Sequence, residues 1–291
     1  MPATKNRILT RGGRHTGYYC APDGSWLSAG THGDKAVARL AAKQEYDKAR
    51  RSDWINPKSG KMRLIDYAET TWLPSLNLEL KTVAGYRSNW NKHVKPIFGA
   101  REIGSIRYSE ICTWLNDLED NGVGRATQRQ AFIVLNRILK SAKRDKLIPS
   151  LPTDDVEVRP VPKPAVRIFT PAQFARFLEF VPEYWKPLIR TGIGTGMRAS
   201  ELRGMVPAQV NWSRKTIRVD RATVHLGTNA MGGAFIDKDY PKDRVTREIK
   251  VDDAVLRDIA KVMKARGLQP TSTVKNFLDD SADPFTSQTL S

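Results

Sequence analysis

Hydrophobic and polar positions change period several times along the chain, and each change predicts an element. Near the start, Gly17-Tyr18-Tyr19-Cys20 and Ser25-Trp26-Leu27-Ser28 alternate on either side of Pro22-Asp23-Gly24, which predicts a short β-hairpin. From Lys35 to about Arg50 the period lengthens to that of a helix, with Val37, Ala38, Leu40, Ala41 and Tyr46 on one face. A small sheet packed on one helix buries both apolar faces economically, and alone it is marginally stable.

Asn56-Pro57-Lys58-Ser59-Gly60 has the composition of a linker. Four helical patterns follow. Leu64, Tyr67, Ala68 and Trp72 define the first. Thr82 is a candidate cap for the second, which carries Tyr86 and Trp90 to about His93, where Pro96 limits it. Ser109 is a candidate cap for the third, with Ile111, Trp114, Leu115 and Leu118. The fourth, Ala126 to Lys146, places Phe132, Leu135, Leu139 and Ala142 in register and crowds Arg137, Lys140, Lys143 and Arg144 at its end. The expectation is a compact helical domain with a basic rim.

Five prolines between Pro149 and Pro164 forbid helix and predict an extended tether, either a clamp hinge or a plain linker. Beyond it, Thr170-Pro171-Ala172-Gln173 is a helix start signal before Phe174, Phe177 and Leu178. A second helix is predicted from about Tyr184 to Thr195. Strand-like runs follow at 216–219, 223–226 and 245–251, and then a helix capped by Asp252 or Asp253 with Leu256, Ile259, Ala260 and Met263 facing inward. Gln269 to Ser291 is rich in Ser, Thr and Asp and lacks a period.

Charge adds what periodicity cannot. The 48 Lys and Arg against 31 Asp and Glu leave a net +17, which points to a polyanion because each neutralised phosphate releases a counterion. The excess is spread: residues 1–60 carry 11 basic and 5 acidic side chains, 61–150 carry 15 and 9, and 151–291 carry 22 and 17. That spread suits a protein wrapping a duplex better than one with a polybasic membrane anchor. No run approaches the roughly 20 apolar residues of a membrane span, and Met1 to Arg14 is not signal-like, so a cytoplasmic protein is expected. Cys20 and Cys112 lie far apart without neighbouring ligands, which argues against a disulfide framework or a zinc site, and no cofactor is expected.

The candidate chemistry starts at Thr195-Gly196-Met197-Arg198-Ala199-Ser200-Glu201-Leu202. An arginine at the start of a helix offers a guanidinium fork and free N–H groups to a phosphate; the alternative is a surface pair with Glu201. The second candidate is Pro241-Lys242-Asp243-Arg244-Val245-Thr246-Arg247-Glu248-Ile249, whose lysine is either a proton donor or a solvated hairpin lysine.

These strings resemble two boxes of the tyrosine site-specific recombinases, the phage integrase family, and most closely those of actinobacterial phages. The first resembles T-G-[LM]-R-x-x-E-L, and the second P-K-T-x-x-S-x-R-x-[IV], with Asp243 in place of the threonine. The resemblance implies that Arg198 clamps the scissile phosphate, that Glu201 supports it, and that Lys242 protonates the departing 5′ oxygen, its pKa lowered beside cations such as Arg244. Thr82-Val83-Ala84-Gly85-Tyr86 and His93-Val94-Lys95-Pro96-Ile97-Phe98-Gly99 resemble landmarks of the family's core-binding domain, and Arg14 to Arg50, with its Gly24-Ser25-Trp26 turn, resembles its three-stranded arm-binding domain.

The implied architecture is an α+β multidomain chain: a small sheet-plus-helix arm-type domain over 1–55, a four-helix core-binding domain over 62–150, and a mixed α/β partial catalytic domain over 168–291. DNA contacts are expected from Arg14, Trp26, Lys92, Lys140, Lys143, Arg144, Arg244 and Arg247. The implied partners are double-stranded DNA at attachment sites, a directionality factor, and sister copies in a tetramer on DNA; no membrane is implied. The family's H-x-x-R box, its further His or Trp and its nucleophilic tyrosine do not follow Lys242, since the four histidines precede it and the last tyrosine is Tyr240. The expectation is therefore a chain that stops short of the full catalytic domain. Its function is then either site-specific integration of phage or mobile-element DNA, or non-catalytic occupation of attachment sites; a helical transcription regulator would explain the charge but not Arg198 and Lys242 in order.

Overall fold

The computed structural model describes residues 6–50, 55–56, 58–162, 165–226 and 235–277. It divides into two compact units, Met1–Asn77 with Asn89–Val161, and Leu78–Ser88 with Pro162–Ser291.

The first unit opens with an antiparallel sheet of β1 (Asn6–Arg11), β2 (Arg14–Cys20) and β3 (Trp26–His32), followed by α1 (Lys35–Ala49). The hairpin read from periodicity is β2–β3. The additional strand β1 joins β2 through Gly12-Gly13, both at positive φ, the two-residue turn whose twist matches that of the strands. Asp34 Oδ1 caps α1 by accepting from Ala36 N at 2.5 Å and Val37 N at 3.3 Å. The face that α1 buries is Ala38, Ala42 and Ala49, whereas Val37 and Leu40, expected inside, are exposed. The reason is close approach: a Cβ on Gly17 of β2 would sit 2.3 Å from the Ala38 carbonyl oxygen, so only small residues fit that seam.

The helical segments are α2 (Leu64–Tyr67), running on as a π-helical turn to Trp72; α3 (Leu80–Asn89), running through a π-helical turn (Trp90–Val94) into α4 (Lys95–Phe98); α5 (Tyr108–Asp120); and α6 (Arg125–Arg144). Pro96 does not end the helical path as expected. It falls in the first turn of α4, where its missing N–H costs little once the preceding turn has widened. Two expected caps also shift. The Glu79 carbonyl, not Thr82, receives the first N–H groups of α3, and Arg107 precedes α5, its N–H donating to Glu110 Oε2 at 2.9 Å. The first unit's core is built on Trp90, Phe98 and Trp114 with Leu64, Ile111, Leu135 and Ile138, and Phe98 meets Trp114 edge-on at 5.3 Å. On α6, Leu135, Leu139 and Ala142 are buried while Lys140, Lys143 and Arg144 are exposed, as the helical period predicts.

The proline-rich stretch carries no helix or strand from 149 to 162; 163 and Pro164 lie outside the described residues, as does 278–291 of the Ser-, Thr- and Asp-rich stretch. The second unit takes in Leu78–Ser88, hence Glu79 and nearly all of α3, and contains α7 (Pro171–Glu179), α8 (Lys186–Thr195) and α9 (Ala199–Gly204). An antiparallel sheet follows in the order β4 (Val210–Asn211), β5 (Thr216–Val219), β8 (Arg247–Lys250), with a separate hairpin of β6 (Ala222–His225) and β7 (Phe235–Lys238), and finally α10 (Asp253–Ala265). Thr170 and Gln173 form the expected reciprocal cap at 3.0 and 3.3 Å, and Asp252 caps α10 through Val255 N at 2.9 Å. Of the expected inward face of α7 only Leu178 is buried; Phe177 stacks on Phe169 and Phe174 at the surface. Met205, Ile217, Val219, Ile259 and Met263 form the core that fixes α9, the sheet and α10 to one another. No helix among the described residues is long and apolar enough to cross a membrane.

Candidate phosphate clamp

Arg198 owes its position to a forced reversal of the chain. Gly196 ends α8 at φ 64°, a left-handed conformation that costs glycine nothing, with its N–H bonded to the Gly192 carbonyl at 2.9 Å. Thr195 Oγ1 fixes the same corner, donating to Thr191 O at 2.6 Å and accepting from Met197 N at 3.2 Å. Met197 is buried as an anchor, and Arg198 follows in extended backbone at the start of α9. With six residues α9 has little dipole to offer, so the site rests on side chains.

Glu201 organises those side chains. Its carboxylate is wholly buried and accepts from Arg198 N at 2.8 Å, Arg198 Nη1 at 3.0 Å, Arg247 Nη1 at 3.1 Å and Arg247 Nη2 at 2.7 Å. Burial pushes its pKa up, but the Arg247 and Arg198 bonds outweigh that and hold it below the usual carboxylate value, so it stays ionised. Arg247 lies on β8, so the two-pronged pair ties the α9 corner to the strand that leads away from Lys242. The surface pair considered for Arg198 and Glu201 is thus a buried carboxylate shared by two arginines.

Arg198 remains 47% exposed and its Nη1 also reaches Asp243 Oδ2 at 3.2 Å. Asp243, then Glu201, raise the Arg198 pKa, so the guanidinium is a permanent cation. Asp243, which departs from the threonine of the box that the sequence resembles, is therefore paired with Arg198. Lys242 is exposed in the same turn and makes no hydrogen bond or ion pair among the described residues. Arg244 has φ 57°, and its Nη2 donates to Glu79 Oε1 at 3.1 Å. Glu79 also accepts from Tyr240 Oη at 3.0 Å and from Lys238 Nζ. Lys238, Arg244 and Tyr240 hold its carboxyl well below the usual range, at about 2.

The other expected contacts are exposed or half-exposed on the first unit. Arg14 opens β2 opposite Arg11, and Lys92 lies on the π-helical turn after α3. Lys140, Lys143 and Arg144 share the end of α6. Trp26 is half-buried under the Arg7 guanidinium at 4.5 Å, which also lies 5.5 Å from the Tyr18 ring. Sequence reasoning missed Glu79, Lys238 and Asp243 as partners: no local pattern links Glu79 to a turn some 160 residues away, and Asp243 was legible only as a departure. Among the described residues no cluster of His, Cys, Asp or Glu is placed to hold a metal ion.

No family model and no curated protein matches the chain. Solved structures do. The integrase of transposon Tn1549, in complex with a circular intermediate DNA, superimposes with a TM-score of 0.64 at 21% identity, covering 78% of this chain and 75% of that one. The chain has the tyrosine-recombinase fold. The same recombinase fold appears in a lambda integrase tetramer bound to a Holliday junction, with a TM-score of 0.55 at 17% identity over 97% of this chain and 80% of that one. A lambda integrase dimer bound to a core site gives 0.52 at 17% identity.

Proposed function

We propose that the chain is a tyrosine recombinase that binds duplex DNA and grips one backbone phosphate with Arg198, in the service of integrating phage or mobile-element DNA. The observation that carries this reading is the Arg198–Glu201–Arg247 cluster: an exposed guanidinium, fixed by a buried carboxylate that is itself fixed by a second arginine. Such a cation, oriented before its ligand arrives, is what stabilisation of charge on the equatorial phosphate oxygens requires. Lys242, unpaired in the adjoining turn, is the proton donor to the leaving oxygen. Residues 1–55 serve as the arm-type DNA-binding domain, with Arg14 and Trp26. Residues 62–150 serve as the core-binding domain, with Lys92, Lys140, Lys143 and Arg144, and 168–291 as the catalytic part. The partners are attachment-site DNA, sister copies in a tetramer and a directionality factor, in the cytoplasm of a bacterial host.

A second reading is binding to attachment sites without cleavage. It is favoured by Tyr240, whose hydroxyl donates to Glu79 Oε1 at 3.0 Å and so serves as a hydrogen-bond donor. Fluorescence anisotropy with a labelled duplex over a range of salt concentrations tests the shared claim. Binding should weaken steeply with salt, and Arg198→Ala should lower the slope of log K against log salt by about 0.9, one phosphate contact. No binding at low salt, or an unchanged slope, sinks the phosphate-clamp assignment. A covalent protein–DNA species formed on nicked duplex by these residues alone would exclude the second reading.

A further inference from the structure

We propose that Lys238, Tyr240 and Arg244 form a second phosphate-binding site, which takes a DNA backbone phosphodiester and is filled in the DNA-free chain by the carboxylate of Glu79. The inference rests on the DNA-binding reading above and extends it from Arg244, inside the second recombinase box, to Lys238 and Tyr240, which precede that box, and to Glu79.

Three donors converge on one carboxylate. Lys238 Nζ donates to Oε2, while Tyr240 Oη at 3.0 Å and Arg244 Nη2 at 3.1 Å donate to Oε1. A phosphodiester presents the same chemistry, an anion with two acceptor oxygens and no proton to give, so the donor set that suits one suits the other. The donors also meet one another apart from their bonds to Glu79. Lys238 Nζ lies 5.5 Å and the Arg244 guanidinium 5.0 Å from the centre of the Tyr240 ring, which draws both cations to one spot. Arg244 holds this position from left-handed backbone, φ 57°, a conformation uncommon for a non-glycine residue.

Glu79 is tied to this cluster only through ion pairs and a hydroxyl. It comes from the start of α3, far away in sequence, and its side chain is 38% exposed, so solvent and competing anions reach it. The Arg244 pair is exposed and the Lys238 pair part-buried; ion pairs that solvent reaches are weak individually and screened by salt, whereas DNA brings a continuous row of phosphates. The duplex therefore displaces Glu79 and takes over its donors. Arg198 shows the same arrangement, with Asp243, the neighbour of Arg244 in sequence, on its Nη1.

The test uses the full chain and a fluorescein-labelled duplex at fixed salt. Glu79→Gln keeps the shape and one acceptor oxygen but removes the competing charge, and should tighten binding about three- to tenfold, the scale of relieving one or two solvent-reached ion pairs. Asp239→Asn is the control, because it removes one negative charge beside Lys238 and Tyr240 at a residue with no bond to the cluster. Tightening by Glu79→Gln that Asp239→Asn does not match supports the site. Equal tightening by both, no change, or weaker binding overturns it. Arg244→Gln provides a readout independent of Glu79: the salt slope should fall by about 0.9, and an unchanged slope overturns the site. A wild-type chain that fails to bind duplex at all sinks the DNA reading itself, whereas a binding wild type without these responses sinks only this site.

Discussion

Arg247→Ala isolates what the buried carboxylate is worth. The wild-type Glu201 side chain has no solvent exposure and satisfies its two oxygens with four hydrogen bonds, two of them from Arg247. Removing one partner of a buried ion pair typically costs about 3–5 kcal/mol, because the remaining charge is left desolvated. Here Arg198 keeps its side-chain and backbone bonds to Glu201, and Arg247 is itself 33% exposed, so the expected cost is at the low end or below, about 2–3 kcal/mol. For a unit of this size that corresponds to a fall in Tm of roughly 10 °C. Urea unfolding of the full chain measures the loss, and hydrogen exchange locates it: amides of 198–204 and 247–250 should lose protection while those of α6 keep theirs. Adding Glu201→Gln to Arg247→Ala removes the stranded charge, so the double variant should be no less stable than Arg247→Ala. A cost below about 1 kcal/mol for Arg247→Ala, or a double variant far less stable than the single one, would refute the reasoning.

Three further outcomes follow from the first unit and from α7. Tyr67 has its pKa pushed up to about 12, first by burial and then by its hydrogen bond to Asp145 at 2.5 Å. A raised acid favours the fold while the hydroxyl is protonated in both states; that contribution is complete below pH 10 and is lost as pH rises toward 12, so stability should decline in that window, and Tyr67→Phe should flatten the decline in an alkaline denaturation series. Gly17→Ala should destabilise the sheet–helix seam by about 1–3 kcal/mol, since the new Cβ would meet the Ala38 carbonyl oxygen at 2.3 Å; thermal unfolding that matches wild type would contradict the packing. Thr170→Ala should cost about 1 kcal/mol through loss of the cap, read by urea denaturation, with Thr170→Ser restoring it.

How much of this was legible beforehand depended on the range of the interaction. Thr170 with Gln173, and Asp252 with Val255, were readable because a cap acts over three residues. The inward face of α6 was readable because a long amphipathic helix repeats its period often enough to fix it. Pro96 misled because a proline's effect depends on which turn of which helix it enters, and the preceding π-helical turn decided that. The α1 face misled for another reason: Ala38 and Ala42 go inward because β2 comes too close for Val37 or Leu40, and hydrophobicity does not encode that distance.

At the site the division is the same. The sequence by itself determined the charge excess, the residue types for a phosphate clamp, and the turn at Gly196 that presents Arg198, since backbone preferences and side-chain chemistry are local. Only the tertiary structure decided which anion each cation meets. Arg247 was expected on DNA and is held by Glu201, and Arg244 turns to Glu79 across some 165 residues. Ion pairs at such separations are set by how helices and strands pack around a shared core, and a Coulomb attraction has no sequence period by which it could be read in advance.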